Sequence, residues 1–243
     1  MLLQCFHRGF GQNQNGPEYT KKIREDFPET VAVYYDTTVL SVTKDRCAYL
    51  SCGEILRFQQ LILAAGCREI PMGALPITGT RPRGVYTAGQ MQEMMNLYGH
   101  RPKDPAVILG SGDLGLVMAK HLAEMGITVT LVEQKPACGG MARNQICLQE
   151  YPIRLLCNTT VTEVLGDPEL EGCVLSNGQI LPCATLLVAV GLVPDRELVL
   201  DLEEPHWLQV CGNCNRVHPM VEAVVKEGKQ AGIAAWEAIR GSL

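Results

Sequence analysis

Apolar residues along this chain come in three rhythms. Ala106–Leu109 is an unbroken apolar run, and Ile127–Val132 is a second one. Runs of this length read as strands buried on both faces. Between them Leu114, Val117, Met118, Leu122 and Met125 recur near the helical period. That predicts a helix from about Leu114 to Met125, closed by Gly126. Short alternating segments make the third rhythm. Val31–Tyr35, Thr38–Thr43 and Cys47–Ser51, with polar breaks at 44–46 and at Gly53, predict a small antiparallel meander. Val161–Leu165, Cys173–Leu175 and Gln179–Leu181 predict another, with Asn177-Gly178 as its hairpin turn.

The remaining elements follow from the same patterns. Strands are expected at Gln60–Ala65, Ile153–Leu156, Leu186–Val190 and Leu208–Val210. Helices are expected at Glu18–Asp26, near Ala88–Leu97, at Met141–Glu150 and at Val221–Arg240. Residues 1–16, rich in glycine and amides, read as loop. The stretch from Cys67 to Asp104, punctuated by Pro71, Pro76, Pro82 and Pro102, reads as a connector that crosses between domains. Strands alternating with helices place the chain in the α/β class, with a central parallel sheet.

An internal repeat sets the domain organisation. Asp36-Thr37-Thr38-Val39-Leu40-Ser41-Val42 parallels Asn158-Thr159-Thr160-Val161-Thr162-Glu163-Val164. Each copy leads through a meander to a buried strand and a glycine, Gly66 in the first and Gly191 in the second. The second copy has a glycine-rich loop fifty residues upstream, at Gly110; fifty residues counted back from Thr38 fall before Met1. The expectation is a complete domain at 89–203, inserted into an incomplete one formed by 1–88 and 204–243. The strand, glycine and helix at the C-terminus would close the split domain.

The loop itself carries chemistry. Gly110, Ser111, Gly112, Asp113, Leu114 and Gly115 form G-x-G-x-x-G between the buried strand and the helix, and Glu133 ends the next strand, 23 residues after Gly110. Gly110 permits the tight turn, Gly112 lets backbone approach a pyrophosphate, and Gly115 lets the helix pack close to the sheet. The amides and dipole at the helix N-terminus favour the phosphates. Glu133 would accept the adenosine ribose hydroxyls and repel a 2′-phosphate, favouring NAD(H) over NADP(H); Lys135 moderates that preference. The plain alternative is a glycine-rich turn that binds nothing.

Composition narrows the classes. A net charge of −5 without a basic block argues against a nucleic-acid partner. With 47% hydrophobic and 19% charged residues, the chain can bury a substantial core. Eleven cysteines are scattered, several inside apolar strands, and Met1-Leu2-Leu3-Gln4 has no basic leader; reduced thiols in the cytoplasm are expected. The longest apolar run, Ala184–Val193, is too short to span a bilayer.

Met1–Gly11, Leu61–Gly73, Gly79–Asn96, Ala106–Asn144, Thr185–Pro194 and Val210–Asn213 together resemble the pyridine nucleotide–disulfide oxidoreductase superfamily. The chain is most similar to bacterial FAD/NAD-dependent oxidoreductases akin to opine and sarcosine oxidase subunits. The resemblance implies a Rossmann-like NAD-binding domain inserted into an FAD-type domain, here without its N-terminal glycine-loop half. It implies FAD contacts at Ala64, Ala65 and Gly66 and at Gly212 and Asn213, and places Gly191 at the equivalent NAD-domain turn. It also implies hydride transfer between nicotinamide and FAD, with a small-molecule substrate. A flavin-free NAD-binding protein and an interaction subunit remain as alternatives. A second polypeptide or a homo-oligomer would complete the split domain.

Other groupings are weaker. Cys211 and Cys214 form C-x-x-C, read as simple thiols ahead of a redox pair. His218 adds a third potential zinc ligand, one short of a structural site. Arg68-Glu69 reads as a surface ion pair. His7 lies near the expected flavin side, with a solvated loop histidine as the plainer reading. Arg143 and Lys135 either reach a cofactor phosphate or form a solvated face. Hydride transfer between stacked rings needs no protein acid, base or nucleophile, so no catalytic residue is nominated.

Overall fold

The computed structural model describes residues 14–203 and 205–241. His7 lies outside them. The chain divides into two compact units, one spanning Glu69–Gly191, the other running up to Arg68 and resuming at Leu192.

In chain order, the second of these begins with α1 (Gly16–Glu25). Asn15 caps it in a capping box with Glu18, which satisfies amides left open at a helix start. Strands β1 (Val39–Val42), β2 (Cys47–Leu50) and β3 (Ile55–Arg57) form an antiparallel meander. Val31–Tyr35, expected as a strand, is not one. Val31, Val33, Tyr34 and Tyr35 are all exposed, and among the described residues no strand pairs with them. Strand propensity without a partner ladder does not hold an extended segment in a sheet. β4 (Leu61–Leu63) follows, then β5 (Cys67–Glu69).

The unit from Glu69 to Gly191 opens with β6 (Thr78–Gly79), β7 (Val85–Thr87) and α2 (Ala88–Tyr98). The expected connector therefore contains strands. Thr87 starts α2 with a capping box to Gln90, and Gly99 ends it in the left-handed conformation. Then come β8 (Ala106–Leu109), α3 (Asp113–Glu124) and β9 (Val129–Val132). The expected helix at Met141–Glu150 is two short ones, α4 (Ala142–Gln145) and α5 (Cys147–Glu150). β10 (Arg154–Leu156), β11 (Val161–Leu165), β12 (Gly172–Leu175), β13 (Ile180–Pro182) and β14 (Thr185–Val188) complete the unit.

Its main sheet is parallel, in the order β10-β9-β8-β14-β7. β8 and β14 are buried at every residue, as their unbroken apolar runs require. One core joins α2 and α3 to the sheet through Met91, Leu116, Met118, Leu122, Ile108, Leu131 and Leu187. A second core packs the meander β11-β12-β13 against Val107, Leu109, Val132 and Leu186. β6 extends that meander by pairing in parallel with β11.

The chain then returns through β15 (Leu192–Pro194) and β16 (Leu208–Val210) to α6 (Val221–Arg240). β16 pairs in parallel with β4, Leu208 opposite Leu61. Val42, Ala48, Leu63, Val199, Leu202, Trp207, Leu208 and Cys214 form this unit's core.

Candidate functional site

The order of the five-stranded sheet reverses between β8 and β14. Successive strands run outward from β8 through β9 to β10, while β14 and β7 lie on its other side. Loops at the carboxyl ends of two such strands diverge and leave a crevice, the usual ligand seat of an open α/β sheet. The segments that emerge there are Gly110–Gly115 after β8 and Ala189–Gly191 after β14.

Two glycines of the loop are required by packing. Gly110 has φ +102°, and a Cβ there would lie 2.5 Å from the Ala189 carbonyl oxygen. A Cβ at Gly115 would lie 2.1 Å from the Gly110 carbonyl oxygen. Gly112 differs. Its φ is −65°, which any residue adopts, and a Cβ on it would meet nothing within 4 Å. It forms the N-cap of α3 without a side-chain cap, so the amides at that end are left to other partners. Its smallness answers to nothing within the described protein.

Glu133 is buried and lies under the loop. Its Oε2 accepts the Ser111 amide at 2.9 Å and the Ser111 hydroxyl at 2.5 Å; its Oε1 accepts the Lys135 amide at 2.9 Å. Burial pushes its pKa up, but the Ser111 hydroxyl and the two amides outweigh that and hold it below the usual carboxylate value. A carboxylate can accept about four hydrogen bonds, so one position is left for a further donor.

The segment after β9 is tied to the same loop. Gly139 donates its amide to Ser111 Oγ at 3.0 Å. Asp113 Oδ1 accepts the Met141 amide at 2.8 Å and Asn144 Nδ2 at 2.6 Å. Gly140 packs so closely that a Cβ there would lie 2.4 Å from Leu116 Cδ1. The sequence reading missed these tethers; the Gly139-Gly140 pair was their visible trace. Leu114, on the first turn of α3, is half-buried. Gly191, at φ +145°, accepts the Ile70 amide at 3.2 Å.

The other unit gathers a separate turn. Ala64 and Ala65 are exposed beyond β4, and Gly66 has φ +86° with nothing within 4 Å of an added Cβ. Leu63 O accepts the Cys211 amide at 3.0 Å and the Cys214 thiol at 3.1 Å, which brings Gly212 and Asn213 beside the end of β4. Cys211 and Cys214 are both buried. Burial, with the nearby Cys214 and Glu227 charges, pushes the Cys211 thiol up, so Cys211 gains no help toward a thiolate. His218 Nε2 is 2.9 Å from Glu227 Oε2. Among the described residues no group of three or more His, Cys, Asp or Glu side chains is placed to hold a metal.

Arg68 pairs with Glu197 at 2.7 Å, both exposed. Its sequence neighbour Glu69 instead accepts the Thr87 hydroxyl and, at 2.8 Å, the Gly89 amide at the start of α2. Lys135 is exposed. No helix among the described residues is long and apolar enough to cross a membrane.

The model of one family, the pyridine nucleotide-disulphide oxidoreductases, matches residues 5–210. Among curated proteins, the chain is 25% identical over 179 residues to nitrite reductase [NAD(P)H] of Bacillus subtilis, covering 69% of this chain and 22% of that one. It is 24% identical over 183 residues to rubredoxin-NAD(+) reductase of Pseudomonas putida, covering 70% of this chain and 46% of that one. The chain thus spans less than half the length of these curated relatives. Among solved structures, thioredoxin reductase of T. acidophilum superposes with a TM-score of 0.79 over 97% of this chain and 86% of that one, at 15% identity, a likeness of fold.

Proposed function

The chain belongs to the pyridine nucleotide-disulphide oxidoreductase family, and from that premise we propose that it is an NAD(H)-linked flavoprotein oxidoreductase or a subunit of one. Members of the family are FAD- and NAD(P)-dependent oxidoreductases. The observation that carries the reading is Gly112, a small residue that no packing or backbone angle demands, placed where a pyrophosphate would meet the start of α3.

In this reading Gly110, Ser111, Gly112, Asp113, Leu114 and Gly115 hold the pyrophosphate of NAD(H), and Glu133 takes a ribose hydroxyl at its remaining acceptor position. Gly191 borders the same crevice. The depressed pKa of Glu133 keeps it charged near neutrality and opposed to a 2′-phosphate. Ala64, Ala65, Gly66, Gly212 and Asn213 are the FAD-side turns. When bound, the two cofactors supply the chemistry, a hydride passing between nicotinamide and flavin; the protein orients and shields them. The substrate is a small molecule or a carrier protein. Every cysteine among the described residues is free, which suits a reducing compartment such as the cytoplasm.

A second reading, an NAD-binding protein or interaction subunit without its own flavin, has one observation behind it. The sequence holds a single G-x-G-x-x-G, and among the described residues β4 pairs only with β16. A strand with a free edge accepts another, so a second polypeptide or a second copy is the partner this reading requires.

NADH titration of wild type and Gly112→Val tests the proposal. Wild type should bind NADH saturably and NADPH more weakly, while Gly112→Val should lose NADH binding with unfolding shifted by less than about 1 kcal/mol. A folded wild type without saturable NADH binding would overturn it. Dye reduction by NADH with and without added FAD separates the two readings.

A further inference from the structure

Glu227, on the second turn of α6, reaches back to the turn that precedes its own helix. One oxygen accepts the Gly212 amide at 2.6 Å and faces His218 Nε2 at 2.9 Å; the other accepts Asn215 Nδ2 at 2.7 Å. His218 in turn donates its backbone amide to Asn213 Oδ1 at 3.0 Å. The His218 side chain is 7% exposed and that of Glu227 23%. One carboxylate therefore holds three residues of one turn, and through His218 it fixes the side chain of a fourth. Gly212 takes the left-handed φ of +69° that glycine adopts without strain, and a Cβ there would lie 3.2 Å from Val224 Cγ1.

We propose that Glu227 is a positioning residue for the flavin-side turn, setting the Gly212 backbone and the Asn213 side chain for cofactor binding through His218 and Asn215. The proposal rests on the FAD reading above. It extends that reading to residues that flank the C-G-N stretch rather than lie in it. A charged acceptor serves here because hydrogen bonds to ionised groups are stronger than neutral ones. An amide in its place keeps one acceptor oxygen but turns its nitrogen toward a donor.

The test uses the full chain and three variants, Glu227→Gln, Glu227→Asp and His218→Gln, with FAD as the probe. Flavin fluorescence gives the FAD dissociation constant. Hydrogen exchange over residues 211–218 reports the turn, and NADH binding serves as the internal control. Glu227→Gln should weaken FAD about tenfold or more, speed exchange at Gly212 and Asn215, and leave NADH affinity within about twofold. Glu227→Asp should recover part of the FAD affinity, and His218→Gln should loosen the same amides. Unchanged FAD affinity in Glu227→Gln, even with a lowered melting temperature, makes the clamp merely structural and overturns the proposal. A wild type that binds NADH and no FAD sinks the flavin reading separately. In that case faster exchange in Glu227→Gln shows a structural clamp alone, and the proposal falls with the flavin reading.

Discussion

In the unit from Glu69 to Gly191, the strand that leads to the Gly191 turn lies between two parallel neighbours, β8 and β7. In the other unit the strand that leads to the Gly66 turn, β4, has one parallel neighbour among the described residues, β16. β14 is buried at all four positions, whereas Ile62 in the middle of β4 is 40% exposed. The helices that follow the flanking strands diverge in the same way. α2, after β7, packs on α3. α6, after β16, leaves Ile233 and Trp236 about 60% exposed, and its Gly228 and Gly232 have nothing within 4 Å of an added Cβ. Similar local sequence builds a similar strand and turn twice. What differs is how many neighbours each strand finds, and burial follows neighbours.

The largest test of that contrast is at glycine. Gly115→Val drives a side chain into the Gly110 carbonyl, with the Ala189 Cβ 3.5 Å from the added Cβ. It should cost about 4 kcal/mol or more and abolish NADH binding, read by denaturant unfolding and titration. Gly66→Ala meets no neighbour and carries only the strain of φ +86°. It should cost about 1–2 kcal/mol. Equal losses would mean that Gly66 is as closely enclosed as Gly115.

Core truncations come next. Leu187, fully buried in β14, should lose about 3 kcal/mol on replacement by alanine. Ile62→Ala in β4 should lose less than about 1.5 kcal/mol, since much of its surface already meets water. Urea midpoints measure both. An Ile62 cost close to that of Leu187 would show that β4 is covered in solution, and the contrast between the units would fail.

These differences also explain what was legible in the sequence. β8, α3 and β9 could be read because β8 is buried throughout, β9 is buried except at Thr130, and α3 buries Leu116, Met118, Ala119 and Leu122 at helical spacing, so each shows its period along the chain. α6 could be read to the residue because Pro219 precedes it and Gly241 follows Arg240. β7 was hidden in a proline-rich connector. Three residues, Val85-Tyr86-Thr87, become a strand because β14 offers an edge, a fact of tertiary structure. Val31–Tyr35 failed for the opposite reason, good strand residues with no partner. Of the site, the loop and Glu133 follow from spacing. The tethers from Gly139, Met141 and Asn144, and the clamp from Glu227, join residues whose pairing no local period reveals.

Acid should act on both units with the same sign. Glu133 sits below its usual pKa because the Ser111 hydroxyl and two amides outweigh its burial. Glu227 sits below because of Asn215 first, then His218 and the Gly212 amide. A depressed carboxylate contributes stability above its unfolded pKa of about 4.3, and that contribution is lost as pH falls through the folded value. Melting temperature should therefore drop on acidification below about pH 4.5. Glu133→Gln and Glu227→Gln should each flatten that limb while lowering the neutral-pH plateau. A variant whose acid limb keeps its full slope would remove that residue from the account.

The smallest effect probes the repeat directly. Asp36 and Asn158 occupy matching places in the two copies, and both are left-handed, at φ 49° and 55°. Such backbone costs a non-glycine residue strain that glycine does not carry. Asn158 donates its amide to Lys135 O at 3.0 Å, a bond that glycine preserves. Asp36→Gly and Asn158→Gly should each change stability by less than about 1 kcal/mol, because relief of strain offsets the extra freedom glycine gives the unfolded chain. The informative quantity is the difference between them. If the two turns are the same device used twice, the two shifts should agree within about 0.5 kcal/mol, although the strands beyond them differ in burial. A loss at Asn158 with a gain at Asp36 would mean that the turn in the unit with the complete parallel sheet depends on its side chain, and the likeness between the copies would then be one of sequence without a shared mechanical role.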